Sequence, residues 1–214
     1  MKKQIVTVSC QLPEWFEKHS LPRIKEASKR WDADLVVIKP EKPIGLLAKM
    51  SLVDAVQNAD RTLFVDSDVL ISRECVNPFE TFPHGHFYAC ADAPHGDQLH
   101  WGRANEMILS QAMLGSVRWT QGYFNTGVMV CDKQHAGAWA NFVYAPFAFP
   151  EQTFTNYRAR MLGYSIRFLS WEWNAMEINT PKDKKQSDGF MPHAAGIYGD
   201  ARAKWIEEMD KVLP

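Results

Sequence analysis

Arg61-Thr62-Leu63-Phe64-Val65-Asp66-Ser67-Asp68-Val69-Leu70-Ile71 sets two aspartates in a run that otherwise reads as a buried β-strand. Alternate residues of a strand face the same way, so Asp66 and Asp68 are expected to present both carboxylates to one side. Two anions among apolar neighbours are costly unless a cation or hydrogen-bond donors compensate them. Oxygen ligands at the end of a strand suit a hard divalent ion, Mn²⁺ or Mg²⁺, whose open positions can accept a diphosphate. Asp32-Ala33-Asp34 has the same spacing, but it follows a polar, Lys/Arg-rich helical stretch and reads as a solvated turn. Flanking context separates the two pairs.

Around this strand the apolar pattern alternates between the two secondary-structure periods. Ile5–Cys10 reads as a first strand, residues 13–30 as a helix and Leu35–Ile38 as a second strand. Pro40 and Pro43 punctuate a loop, and Leu46, Leu47, Met50, Val53 and Val56 have the spacing of an amphipathic helix. Phe87–Ala91 and Phe124–Val130 read as strands, and Asp92–Trp101 as a polar surface loop. Helices are expected at His135–Tyr144, Glu151–Leu162 and Ala201–Val212, with a short strand at Ile166–Leu169 and a charged loop at Lys182–Gly189. Strands separated by helices imply an α/β/α sandwich with a mainly parallel sheet. Ligands of such sheets collect beyond the carboxyl ends of strands, where Asp66 and Asp68 fall.

With 214 residues, 46% of them apolar, the chain can bury one sizeable core, and a single domain is expected over 1–214. A net charge of −1 gives no electrostatic reason to expect nucleic acid or an anionic membrane. No apolar run approaches the length of a membrane span, and the N-terminus has no secretory apolar core. Cys10, Cys75, Cys90 and Cys131 have no Cys-x-x-Cys spacing and read as reduced thiols of a cytoplasmic protein. His84-Gly85-His86 lies in turn-like sequence after Pro83 and reads as a solvated turn.

Several motifs follow one another in an order that matters more than any one of them. A helix bearing Lys49 precedes Asp66-Ser67-Asp68; then come Asn125-Thr126-Gly127 before an apolar strand, Glu151-Gln152, Trp173-Asn174 and His193-Ala194-Ala195-Gly196. The set resembles the retaining GT-A glycosyltransferases of the glycogenin and lipooligosaccharide galactosyltransferase group, family eight of the sugar transferases. The resemblance runs from about Lys49 to Trp205. It implies a GT-A (Rossmann-like) fold, a UDP-sugar donor, a glycan or glycoconjugate acceptor, and Mn²⁺ or Mg²⁺ held by Asp66, Asp68 and His193. By the same resemblance residues 1–130 form the nucleotide-sugar and metal-binding part, and residues 131–214 the acceptor-side part that carries the last metal ligand.

The resemblance also assigns roles one by one. Ser9 would lie where the base is cradled, and Ser67, between the two metal ligands, would contact the donor, as would Gly196. Lys49 would neutralise phosphate or orient the donor, Asp92 would contact the sugar or Lys49, and Asn125 and Gly127 would admit the donor sugar closely. Glu151 would bind a sugar hydroxyl, Gln152 would face the β-side of the anomeric carbon, Asn156 would lie below them, and Asn174 would fall near the donor pocket. Gly196 belongs to the C-terminal motif. The family pattern places a lysine where Gly199 stands here, so Lys204 is the expected diphosphate contact, unless Arg202 replaces it. Trp101, Trp119 or Trp171 could form an acceptor platform by stacking on sugar faces. Size and class would also suit a domain cut from a larger protein, such as a chlorovirus glycan-building transferase.

The expected activity is transfer of a hexose-type sugar with retention of configuration. A nucleotidyltransferase also uses paired aspartates and a divalent ion, but it needs a glycine-rich basic loop where Gln11-Leu12-Pro13-Glu14 stands. A catalytically silent sugar-nucleotide or glycan-binding module is the other alternative; only turnover separates it from an enzyme.

Overall fold

The structure is a computed structural model that describes residues 1–9, 13–40, 45–95, 101–119 and 122–214, with backbone alone at 45–47, 101 and 102. Cys10, the polar loop around His100, the side chains of Leu46 and Leu47, and the Trp101 ring therefore lie outside the described residues. Six strands form one sheet: β1 (Lys3–Val8), β2 (Asp34–Ile38), β3 (Arg61–Val65), β4 (Phe87–Ala91), β5 (Phe124–Asp132) and β6 (Ile166–Leu169), in the order β2-β1-β3-β5-β4-β6. β1 pairs in parallel with β2 and β3, and β4 with β6, whereas β5 runs antiparallel to both β3 and β4.

The strands alternate between two apolar layers, which is why their sequences are apolar throughout. Ile5, Leu63, Val65, Tyr88, Cys90, Val128 and Val130 pack on one face under Phe16 and the helix α1 (Leu21–Arg30). Val6, Val8, Phe64, Phe87, Ala89, Met129 and Cys131 pack on the other, under α2 (Leu52–Gln57) and Ala159. Ala159 belongs to a later helix, Pro150–Met161. Cys75, Cys90 and Cys131 are free, buried thiols; burial pushes Cys75 up to about 12 and the other two higher still. They are core residues.

The remaining helices are α3 (Pro78–Thr81), α4 (Trp101–Leu114), α5 (Pro150–Met161) and α6 (Gly199–Val212). Residues 16–20 form a π-helical turn continuous with α1, and residues 45–51 a 3₁₀ turn leading into α2. Arg23 holds the far end of α6 by donating to the carbonyls of Asp210, Leu213 and Pro214 and by pairing with the Asp210 carboxylate. Among the described residues no helix is long and apolar enough to cross a membrane.

Three sequence expectations are corrected here. β3 stops at Val65, so Asp66-Ser67-Asp68 is a turn and not part of a strand. The helix expected over His135–Tyr144 is a 3₁₀ turn at Lys133–Trp139, after which Asn141 adopts a left-handed φ of 56°. The segment after Trp101, left without an element by the sequence, is the helix α4. Asp32 is exposed in a turn, as expected, with a left-handed φ of 50°, whereas Asp34, also exposed, opens β2. His84 and His86 bond to Asp132 and Ser165 and are not in the Asp66, Asp68 and His193 group found among the described residues.

Candidate active site

The last rung of the β3–β5 ladder extends to Asp66, whose N–H donates to Gly127 O at 2.7 Å. The chain then turns, with Val69 N–H on Asp66 O at 3.1 Å. This turn is stitched to a distant segment: Leu70 N–H donates to Pro192 O at 2.9 Å, and Ala194 N–H to Asp68 O at 3.2 Å. Backbone bonds on either side of His193 thus fix it beside both aspartates. His193 Nε2 lies 3.2 Å from Asp68 Oδ1 and 3.8 Å from Asp66 Oδ2. One ligand atom from each of the three lies within 4.8 Å of the others.

Two cations flank the cluster. Lys49 Nζ donates to Asp66 Oδ2 at 2.8 Å and to Thr126 Oγ1 at 3.3 Å, and lies 3.5 Å from Glu151 Oε1. Arg202 Nε lies 3.3 Å from Asp68 Oδ2. Burial favours the neutral carboxyl of Asp66, and neighbouring Asp68 adds to this, so its pKa is raised despite Lys49 and His193. Asp68 is buried too, yet His193, Arg202 and Lys49 outweigh that penalty and bring it down to about 2. Lys49 is buried, but the charges of Asp66, Glu151 and Asp68 hold its pKa above the ordinary value.

A second polar group adjoins the first through Thr126. Gln152 Oε1 accepts from Thr126 N–H at 3.1 Å, and its Nε2 donates to Asp92 Oδ2 at 2.8 Å. A backbone donor at one end and a carboxylate at the other fix the orientation of this amide. Arg103 Nε also reaches Asp92 Oδ2, at 2.7 Å, with its guanidinium 4.0 Å from the centre of the Phe149 ring. Thr153 joins Tyr123 to the buried carboxylate of Glu106. Asn156 lies beneath Gln152, bonding both backbone groups of Phe124.

The remaining expected residues divide clearly. Ser9 is buried at the end of β1, and its Oγ has no partner among the described residues. Ser67 is half-buried in the turn between the aspartates. Asn125 Oδ1 accepts from Gly127 N–H at 2.7 Å and from Asn174 Nδ2 at 2.9 Å. Asn174 is fully buried, and its Oδ1 meets His193 Nδ1 at 2.8 Å. Gly196 is exposed, with a φ of 79° that accounts for the glycine.

Lys204 is not brought to the site: its ammonium stands on the exposed face of α6, 3.8 Å from Glu208. Trp119 stacks on Tyr123 and under Arg160, so its ring is taken up in packing, and Trp171 is half-buried. Thr126, Arg103 and Glu106 join the site without having been singled out in the sequence. Thr126 occupies the open position of Asn-x-Gly, whereas Arg103 and Glu106 lie on the unforeseen helix.

The donor set fits a divalent ion: two carboxylate oxygens and an imidazole nitrogen converge, with cations compensating the surplus negative charge. Asn174 bonds the far nitrogen of His193, as ligand histidines require of their surroundings.

No family model matches the chain, and no curated protein matches by sequence. Among solved structures it is similar to a glycosyltransferase involved in the glycosylation of the major capsid of PBCV-1, at 15% identity, TM-score 0.65, covering 96% of this chain and 99% of that one. It is also similar to the galactosyltransferase LgtC in complex with donor and acceptor sugar analogs, at 13% identity, TM-score 0.60, covering 98% and 96%. A third is a Drosophila β-1,4-galactosyltransferase 7 mutant complexed with manganese, UDP-Gal and xylobiose, at 12% identity, TM-score 0.51, covering 92% and 72%. TM-scores and coverage over nearly the whole of both chains agree: the chain has the GT-A fold of these glycosyltransferases.

Proposed function

We propose that the chain is a metal-dependent glycosyltransferase that moves a hexose-type sugar from a UDP-sugar to a glycan or glycoconjugate acceptor, with retention of configuration. The observation that carries this reading is the convergence of Asp66, Asp68 and His193 beyond the carboxyl end of β3, with Lys49 and Arg202 beside them. Mn²⁺ or Mg²⁺ held there would neutralise the donor diphosphate and ease departure of UDP. Lys49 aims Asp66 and opposes the burial that favours its neutral form, and Arg202 supplies the phosphate cation expected of Lys204. Asn125, whose Nδ2 has no partner among the described residues, can offer that amide to a sugar hydroxyl.

Each carboxylate near the reacting centre has one oxygen held by neighbouring groups, while Glu151 Oε2 has no partner among the described residues. Glu151 Oε1 is engaged by Lys49 and Thr126, and Asp92 by Arg103 and Gln152. In the proposed reaction attack comes from the leaving-group side, with a phosphate oxygen taking the acceptor proton and the oriented Gln152 amide stabilising the cationic sugar. The complexes of similar solved structures with sugar analogs and with manganese and UDP-Gal support the sugar-donor and metal parts of this reading. The test is UDP release with Mn²⁺ from UDP-glucose, UDP-galactose, their N-acetyl forms and UDP-rhamnose. Release from at least one, abolished by chelation, is expected. No release from any, with UDP still bound, would leave a binding module.

A further inference from the structure

We infer that Asn125, Gly127 and Asn174 form a seat for His193, and that this seat, rather than close approach of the donor sugar, is why Gly127 is a glycine. The inference rests on the metal-dependent reading above. It begins at a group whose polarity is fixed: the backbone N–H of Gly127 can only donate, and it donates to Asn125 Oδ1 at 2.7 Å. Asn174 must therefore approach that oxygen through Nδ2, at 2.9 Å, which turns Asn174 Oδ1 toward the imidazole. An oxygen 2.8 Å from His193 Nδ1 requires the proton on Nδ1. In the neutral ring that a metal ion requires, the lone pair then lies on Nε2, toward Asp66 and Asp68. The tautomer of a candidate metal ligand is thus set by a backbone amide, through two asparagines.

An independent steric observation agrees. A Cβ built on Gly127 would lie inside contact distance of His193 Cε1, 2.7 Å from His193 Nδ1 and 2.9 Å from Asn125 Oδ1. The imidazole ring occupies the space that any other residue at 127 would fill. Asn174 is completely buried, which leaves it no face for a substrate. Asn174 and Gly127 are therefore positioning residues that act through His193, while Asn125 gives its oxygen to the seat and keeps its Nδ2 for the donor.

The experiment is a double-mutant cycle read by metal binding rather than turnover. Gly127→Ala, Asn174→Ala, His193→Ala and Gly127→Ala/His193→Ala are titrated with Mn²⁺ alone and with Mn²⁺ plus UDP, following the free Mn²⁺ resonance. Electron spin-echo modulation reports imidazole nitrogen on the bound ion. Gly127→Ala and Asn174→Ala should each weaken Mn²⁺ binding about tenfold or more and lose the nitrogen modulation. In the His193→Ala background, Gly127→Ala should add little, because the imidazole is gone and only the Asn125 side-chain oxygen, 2.9 Å away, must give. Should Gly127→Ala alone fail to fold, the double variant must fold; failure of both would place the clash elsewhere and overturn the inference. Wild-type Mn²⁺ affinity and nitrogen modulation in Gly127→Ala would also overturn it, as would an equal loss of UDP-sugar binding in both backgrounds. A wild-type protein that binds no Mn²⁺, with or without UDP, would instead remove the metal-dependent reading itself.

Discussion

Arg202 Nε lies 3.3 Å from Asp68 Oδ2, so α6 reaches a candidate metal ligand through a single guanidinium. Arg202 is steadied by Ile197 O at 2.7 Å and by the Tyr198 ring, 5.4 Å away. Lys204 is two residues further along the same helix, and residues so spaced point to different faces. Arg202→Ala is therefore expected to weaken UDP binding by about tenfold, the size of a lost charge-assisted contact. Lys204→Ala should leave it unchanged. Calorimetry with UDP and Mn²⁺ on both variants decides the matter; the opposite ranking would restore the lysine to the diphosphate.

Asp68 contributes its carboxylate to the site and its backbone to the fold. Its carbonyl accepts from Ala194 N–H, a bond that an alanine at 68 would keep. Asp68→Ala should thus fold normally while losing Mn²⁺-dependent UDP binding. A melting curve like that of the wild type, together with UDP affinity no longer raised by Mn²⁺, is the expected pair of results. UDP binding that still responds fully to Mn²⁺ would remove Asp68 from the metal centre.

The Asp66 and Asp68 pair was legible in the sequence, but the reason given for their convergence was not the operative one. Strand alternation ends at Val65; the carboxylates converge because the following turn is bonded to residues 192–194, a pairing that no local pattern encodes. Asn-x-Gly announced a close approach but not its partner, which the chain brings back only at His193. α4 escaped notice because its amphipathic pattern is inverted. It buries Ala104, Glu106 and Ser110 and exposes Ile108, Leu109 and Met113. Arg103 was hidden with it. The alternation of strands and helices, by contrast, follows from local periodicity, which makes the sheet and most helices legible in the sequence.

His135 gives the fold a pH dependence that can be checked apart from the site. Its Nδ1 accepts from Asp132 N–H at 3.0 Å, and the ring packs edge-on against Phe87 and Tyr164. Burial, aided by Arg61 and His86 and opposed by Asp132, lowers its pKa from 6.5 to about 4. Between those values the unfolded chain binds the proton and the folded one does not, so stability rises with pH. The contribution is complete above about 6.5 and declines as pH falls toward about 4. On acidification from about pH 7 to pH 5, the melting temperature should fall by about 2–4 °C for each kcal/mol lost. His135→Gln should show a smaller fall; an identical fall in both proteins would assign the dependence to other groups.

Gln152 offers the sharpest test of mechanism. Its amide is held by Thr126 N–H on one side and Asp92 on the other, so its dipole is oriented before any substrate arrives. If attack comes from the leaving-group side, no side chain need act as a strong base or covalent nucleophile. The glutamine then contributes positioning and dipole stabilisation, terms commonly worth roughly a few kcal/mol in a preorganised site. Gln152→Ala should lower kcat by about two to three orders of magnitude with little change in donor affinity. Gln152→Glu should fare no better, because a carboxylate there faces Asp92 and cannot donate to it unless protonated. The first-formed product should keep the donor's anomeric configuration by NMR. An inverted product would overturn front-face attack, whereas a retained product with normal kcat in Gln152→Ala would preserve the stereochemistry and remove this residue from it.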